Sequence, residues 1–242
     1  MSTSSVYKED TPKCNGVQVV SFAVPGGLIV GESPQTVNYG EGGSAVGAFA
    51  DTGAEFRKWS DGVTDNPRTD HNVTGDIEVT ALFQSVGGVP IEWYDQYGLA
   101  PSGDEAWSDL DDRDEYNKGM TLREEYVADT IPTESTSVFR VVEMEVGPPV
   151  TIAVDPSSPG RVYTLRYSED LVNWRDVTDQ IAVPGGTEPL TDPAHPESNH
   201  FHKVIVEVPP VSWGRPSASS SEFASRTAAT FTSNFRFSPA RG

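Results

Sequence analysis

Short runs of alternating apolar residues, each stopped by Gly, Pro, Asn or Asp, set the limits on what this chain can become. From Val17 to Phe83 they read VQVVSFAV, QTVNYG, AVGAFAD, EFRKWS and DIEVTALF. From Ser137 to Val208 they read SVFRVVEMEV, VTIAVD, RVYTLRYS, WRDVT, QIAVP and FHKVIVEV. Alternation with a period of two puts one apolar face on a pleated strand, and the turn residues end each strand early. With 22 Gly and 19 Pro in 242 residues, the chain is poor material for long helices. The reading is a mainly β protein, with a small β domain over residues 17–86 and a β-sandwich over residues 137–209.

Residues 87–136 have a different character. In GVPIEWYDQYGLAP, Ile91, Tyr94 or Asp95, and Gly98 fall at helical spacing, with Trp93 and Tyr97 one turn apart. MTLREEYVADT is a second short helix candidate, with Met120, Leu122, Tyr126 and Val127 as its apolar positions and Pro132 as its stop. The acidic stretch SGDEAWSDLDDRDE lies between them, so the segment is expected to be an acidic helix–turn–helix connector. Residues 1–16 read as a flexible leader, and the Ser/Thr-rich residues 210–242 as a disordered tail.

Charge narrows the range of partners. Asp and Glu number 36 against 17 Lys and Arg, a net charge of −19. So acidic a surface has little with which to displace counterions from a phosphate backbone, which argues against nucleic acid. It also repels its own copies, and a monomer is expected. The single cysteine, Cys14, allows no disulfide within a monomer and no Cys-based metal site. The longest apolar run, GVQVVSFAVPGGLIVG, is too short and too broken to span a bilayer. MSTSSVYKEDTPK lacks the basic and apolar regions of a secretion signal, so the chain taken literally would be cytosolic.

The connector contains the frame of a calcium loop. An EF-hand-type loop needs oxygen ligands at positions 1, 3 and 5, a Gly at 6 and a bidentate Glu at 12. Counted from Asp114, these positions are Tyr116, Lys118, Gly119 and Glu125. Asp114 and Glu125 are the calcium candidates, while Lys118 puts an ammonium where the ion belongs. Asp109, Asp111 and Asp112 are substitute carboxylates if the chain folds back. The expectation is a structural connector with a weak or absent calcium site, in which Lys118 bridges to Glu125 or Asp114 in place of the ion.

Other chemistry is sparse. His200 and His202 have period-two spacing that zinc can use on a strand, but no nearby Cys completes a ligand set, and polar residues at a strand entry are the plainer reading. His71 lies in the turn-like TDHNVTGD, and His195 shares the stretch DPAHPESNHFHKV with the pair. No Gly-x-Ser-x-Gly elbow occurs, and GEGG at 40–43 leads into a strand rather than a helix, as a phosphate loop would not. Trp59 and Trp174 sit in alternating runs and are expected in the core, and Trp213 in the tail is expected to be exposed.

Resemblance adds what pattern lacks. Residues 17–84 carry Tyr39–Gly40, Phe56, Trp59-Ser60-Asp61-Gly62, Asn66–Pro67 and the ending Val79, Ala81, Phe83. In these they resemble the divergent internalin-B-type repeat of secreted and surface bacterial proteins. That resemblance implies a β-grasp-like fold anchored by Phe56, Trp59 and Phe83, and a modular, non-catalytic role. Residues 88–139 look like the short calcium-type helical segment of large secreted planctomycete and verrucomicrobial proteins. Gly88, Pro90, Trp93, Tyr97–Leu99, Gly119, Glu125, Tyr126 and Pro132–Thr133 match it. Tyr116, Asn117 and Lys118 replace its acidic core and Ile131 its later Asp, so only Asp114 and Glu125 carry over as ligands. The run YTLRYSEDLVNW, Tyr163 to Trp174, is similar to the β-sandwich that follows this segment, which lends a fold and no activity.

Taken together, these resemblances imply a non-catalytic module string of a secreted or cell-surface protein, serving as spacer, adhesion or anchoring region. A cell-surface glycan or protein is the partner class such modules imply, with no cofactor unless calcium binds. In such proteins this set of modules usually closes a long secreted chain, so a truncated or remote N-terminus would account for the missing signal. The alternative is a carbohydrate-binding accessory region of a larger secreted enzyme, which would need exposed aromatic rings. A metal hydrolase built on His200 and His202 would still lack a third ligand and a general base.

Overall fold

The structure, a computed structural model, describes residues 16–23, 25–145, 147–186, 189–195, 200–209 and 228–231. It is mainly β, with short helices confined to residues 91–128 among the described residues. The chain divides into two compact units, residues 1–83 and 84–242.

In the first unit, β1 (Val17–Ala23) lies between β3 (Gln35–Val37), its antiparallel neighbour, and β6 (Ile77–Ser85), its parallel one. β5 (Ala54–Trp59) completes the four-stranded sheet beside β6. A parallel pair requires a long crossover, and the chain between β1 and β6 supplies it. Within that crossover β2 (Gly27–Val30) and β4 (Gly47–Ala50) form a separate antiparallel ribbon. Alternation along β6 turns Val79, Ala81 and Phe83 inward as its pattern requires.

Trp59 and Phe83 are wholly buried, and the half-buried Phe56 ring lies 5.6 Å from one and 6.1 Å from the other. The Trp59 indole N–H donates to the Asp65 carbonyl at 3.0 Å. Arg68, itself buried, lies over the Trp59 ring and pairs with Asp61 and Asp70. Asn66 uses its amide as a strand uses its backbone. Its Oδ1 accepts from Ala48 N at 2.8 Å and its Nδ2 donates to Ala48 O at 2.6 Å. Gly62, at φ 93°, closes the turn after Trp59 by donating to the Trp59 carbonyl. The residues from Trp59 to Pro67 are thus held together by their own packing and hydrogen bonds. Tyr39, of the Tyr39–Gly40 turn in the same repeat-like pattern, is exposed.

The second unit begins with α1 (Ile91–Gln96), α2 (Trp107–Asp111) and α3 (Leu122–Ala128). The first and last fall within the helices predicted from the sequence. α2 lies inside the stretch read as an acidic turn, where Trp107 and Leu110 at i, i+3 are the apolar anchors of one short turn of helix. Thr121 and Glu124 make a capping box at the start of α3, and Asp129 ends it in the left-handed conformation, three residues before Pro132.

Two sheets follow. One contains β7 (Arg140–Glu145), β8 (Val150–Asp155) and β12 (Leu190–Asp192), in the order β12-β8-β7. The other is built on β9 (Val162–Ser168) and β13 (Phe201–Glu207), with β10 (Arg175–Asp176) and β11 (Val183–Pro184) both paired to β9. Val150, Ile152, Tyr163, Leu165, Leu190, Val204 and Val206 form a common core between the sheets, the arrangement of a sandwich.

Two features differ from the domain plan read off the sequence. Val127 of α3 belongs to that same core, and Arg161 donates to the carbonyls of Val127 at 2.8 Å and Tyr126 at 2.7 Å. The helical segment and the sandwich therefore share one interior instead of being joined end to end. Ala228–Phe231, in the segment expected to be a disordered tail, form β14 antiparallel to β13. The pairing covers ladder groups that an edge strand would otherwise leave bare. Trp213 and all but Gly16 of the expected leader lie outside the described residues.

Candidate functional site

The loop before α3 is organised around two charged side chains with different tasks. Asp114 accepts backbone N–H groups from Lys118 at 2.9 Å and Gly119 at 2.8 Å, which ties the loop into its turn. Desolvation pushes the Asp114 carboxyl up, and the N–H groups of Lys118, Gly119 and Tyr116 outweigh it, leaving the group below its usual range. Lys118 runs inward. Its ammonium donates to Glu125 Oε2 at 2.8 Å and to the carbonyl oxygens of Ile131 at 3.0 Å, Glu134 at 3.0 Å and Ser137 at 3.1 Å. The side chains of this pair are 2% and 0% exposed.

Local hydrogen bonds hold the three carbonyls in place. Glu134 N donates to Ile131 O, Ser137 N donates to Glu134 O, and Ser137 Oγ accepts from Ile131 N at 2.8 Å. Thr130 Oγ1 donates to Glu125 Oε2 at 3.3 Å. Glu125 Oε1 is buried with no hydrogen-bond partner among the described residues. Burial pushes the Glu125 carboxyl up, and the Lys118 ammonium offsets this in part.

A calcium ion needs six to eight oxygens at about 2.3–2.6 Å. With an ammonium seated on Glu125 and the Asp114 oxygens turned to backbone amides, these residues do not fit that ion. Among the described residues, no three or more His, Cys, Asp or Glu side chains are placed to hold a metal. The substitute carboxylates have other partners. Asp109 accepts from Ala106 N at 2.8 Å, and Asp112 is exposed. Asp111 is buried and accepts from Tyr94 OH at 2.6 Å, Ser85 Oγ at 2.7 Å and Gly87 N at 3.1 Å. Burial raises both groups of the Tyr94–Asp111 pair, which keeps the phenol protonated and the bond in place.

A second polar cluster lies at the rim of the sandwich. Asp192, at the end of β12, is 0% exposed and takes His202 Nε2 at 2.9 Å and His195 Nδ1 at 3.0 Å. His202 faces inward with Val204 and Val206, as its parity on β13 dictates. The His195 ring stacks on Tyr167 at 3.7 Å, and His200 packs edge-on against both. His200 and His202 are thus on one side, as their spacing predicts, but His202 is engaged with a carboxylate across the sheets. Desolvation lowers the His202 pKa below its ordinary value despite Asp192. Asp192 is pushed up by burial and pulled further down by the two histidines, ending below the usual carboxylate range.

Of the two tryptophans expected in the core, Trp59 is there and Trp174 is only half-buried. Trp59 and Tyr163 are buried, and the half-buried Trp174 carries the Lys203 ammonium 4.3 Å from its ring centre. Sequence reasoning missed Arg68 and Asp192, whose roles depend on partners brought by distant turns. It also missed the carbonyls of Ile131, Glu134 and Ser137, because any residue type supplies a carbonyl.

Comparison with known proteins reaches one part of the chain. Residues 17–87 match the divergent InlB B-repeat domain family, a span that begins with β1 and ends just past β6. No curated protein and no solved structure matches the chain. Among the described residues, no helix is long and apolar enough to cross a membrane.

Proposed function

We propose that this chain is a non-catalytic module string of a bacterial secreted or cell-surface protein, acting as a spacer that holds or anchors neighbouring parts. The observation that carries this reading is the match of residues 17–87 to the divergent InlB B-repeat domain, over a stretch that folds as a compact unit with its own core. The polar side chains that enzymes use for chemistry support it, since they are spent on architecture: Asp111 on Tyr94 and Ser85, Asp192 on His202 and His195. A surface glycan or protein is the partner class for an adhesive version of the role. Protease shaving of intact source cells should release peptides of this chain into the medium; recovery from the cytoplasmic fraction alone would overturn the proposal. Pull-down on purified cell wall and glycan arrays then separates adhesion from spacing, with retention expected only for an adhesin.

A further inference from the structure

Lys118 has more oxygen around it than an ammonium can use. An ammonium carries three N–H donors. Four oxygens lie within hydrogen-bond distance of Nζ, and the second Glu125 oxygen is buried and has no partner among the described residues. One carboxylate and three inward carbonyls, held by their own turns, form the kind of shell that proteins build around a free cation. The N···O distances of 2.8–3.1 Å are those of an ammonium and are wider than calcium takes.

We propose that residues 114–137 form a closed cation cage whose resident cation is the chain's own Lys118 ammonium, so that this unit folds without any dissociable ion. The inference is independent of the spacer reading. It concerns what holds the second unit together, and a cytoplasmic location would leave it untouched. The charge, and not only the aliphatic stem, is what the cage requires. Removing it leaves Glu125 buried without its cation and takes one donor from each of the three carbonyls, of which Ile131 O and Glu134 O keep only a backbone N–H, a costly way to break a buried pair. Removing the stem as well opens a cavity shaped for a free alkylammonium.

The test uses the full chain and follows thermal unfolding of the second unit. For the native protein, Tm is expected to be the same in EDTA and in millimolar calcium, with magnesium as the control for nonspecific binding to an acidic surface. A calcium-specific rise would overturn the proposal, because a ligand bound only by the native state must raise stability. Lys118→Met keeps the stem and deletes the charge, and Tm should fall by on the order of 10 °C. A Met variant as stable as the native protein would reduce Lys118 to packing and overturn the proposal. Lys118→Ala should regain part of its lost Tm in n-propylammonium chloride and none in n-propanol; equal effects of the two would count against a cation site. Should both variants fail to fold, the native protein still decides. A caged Lys118 ammonium must give an NMR signal protected from solvent exchange, and a signal exchanging as fast as those of surface lysines would refute the cage.

Discussion

Protonating His202 would place a second N–H on a ring whose Nδ1 is buried and has no partner among the described residues. Glu169 and the His195 and His200 rings lie nearby, and Asp192 is the carboxylate that opposes the cost. With its pKa held below the ordinary 6.5, the native protein binds fewer protons here than the unfolded chain does. The contribution to stability is complete above that value and is lost as pH falls through the depressed one. Urea unfolding between pH 7 and pH 5 should therefore show a decline that His202→Gln flattens; an equal decline in both would place the titration elsewhere. At this scale, legibility depended on what the residue's own type could announce. Lys118 announced itself, being a cation written where a ligand belongs, and its bridge to Glu125 is as the spacing suggested. Asp192 did not, because an Asp at the end of a three-residue strand resembles any other surface acid until the second sheet brings His202 against it.

Elements are set by caps and close approaches as much as by apolar period. In α3, Thr121 Oγ1 accepts from Glu124 N while the Glu124 carboxylate accepts from Thr121 N. Thr121→Ala should lower the stability of the second unit by about 1 kcal/mol in denaturant unfolding. In β2, a Cβ on Gly27 would stand 2.3 Å from the Phe83 ring and 2.5 Å from the Phe49 carbonyl. Gly27→Ala should accordingly cost the first unit roughly 1–3 kcal/mol, as overpacking does, and unchanged stability would mean that the ring has room to move. The Thr-x-x-Glu of α3 was present in the sequence, and the Leu122, Tyr126, Val127 period placed the helix within a residue or two. α2 was hidden because five residues complete barely more than one turn, too few for a period to show amid the surrounding acids.

Two compact units follow one another along the chain, and the segment read from the sequence as a separate helical connector contributes Val127 to the core of the second. Alternation in β6 and β13 made the β character and the position of both regions legible. It said nothing of Val127, whose apolar position on α3 fits a helix packed on its neighbours as well as one packed on a sheet. With Val127 in the sandwich core and Arg161 bonded to the end of α3, a fragment of residues 137–242 should lack part of its own interior. It is expected to bind hydrophobic dye and unfold without a sharp transition, whereas residues 84–242 should melt cooperatively. A sharp transition in the shorter fragment would show that the sandwich is self-sufficient.

The Lys118–Glu125 pair also bears on timing. A dissociable ion lets the compartment decide when such a segment closes, since the loop stays open until it reaches a medium that holds the ion. A cation attached to the backbone arrives with translation, one per chain, undiluted and beyond the reach of chelators. On that reading the segment can close as soon as Ser137 has emerged, on whichever side of a membrane that happens. Any export machinery that needs an unfolded chain would have to engage this one first.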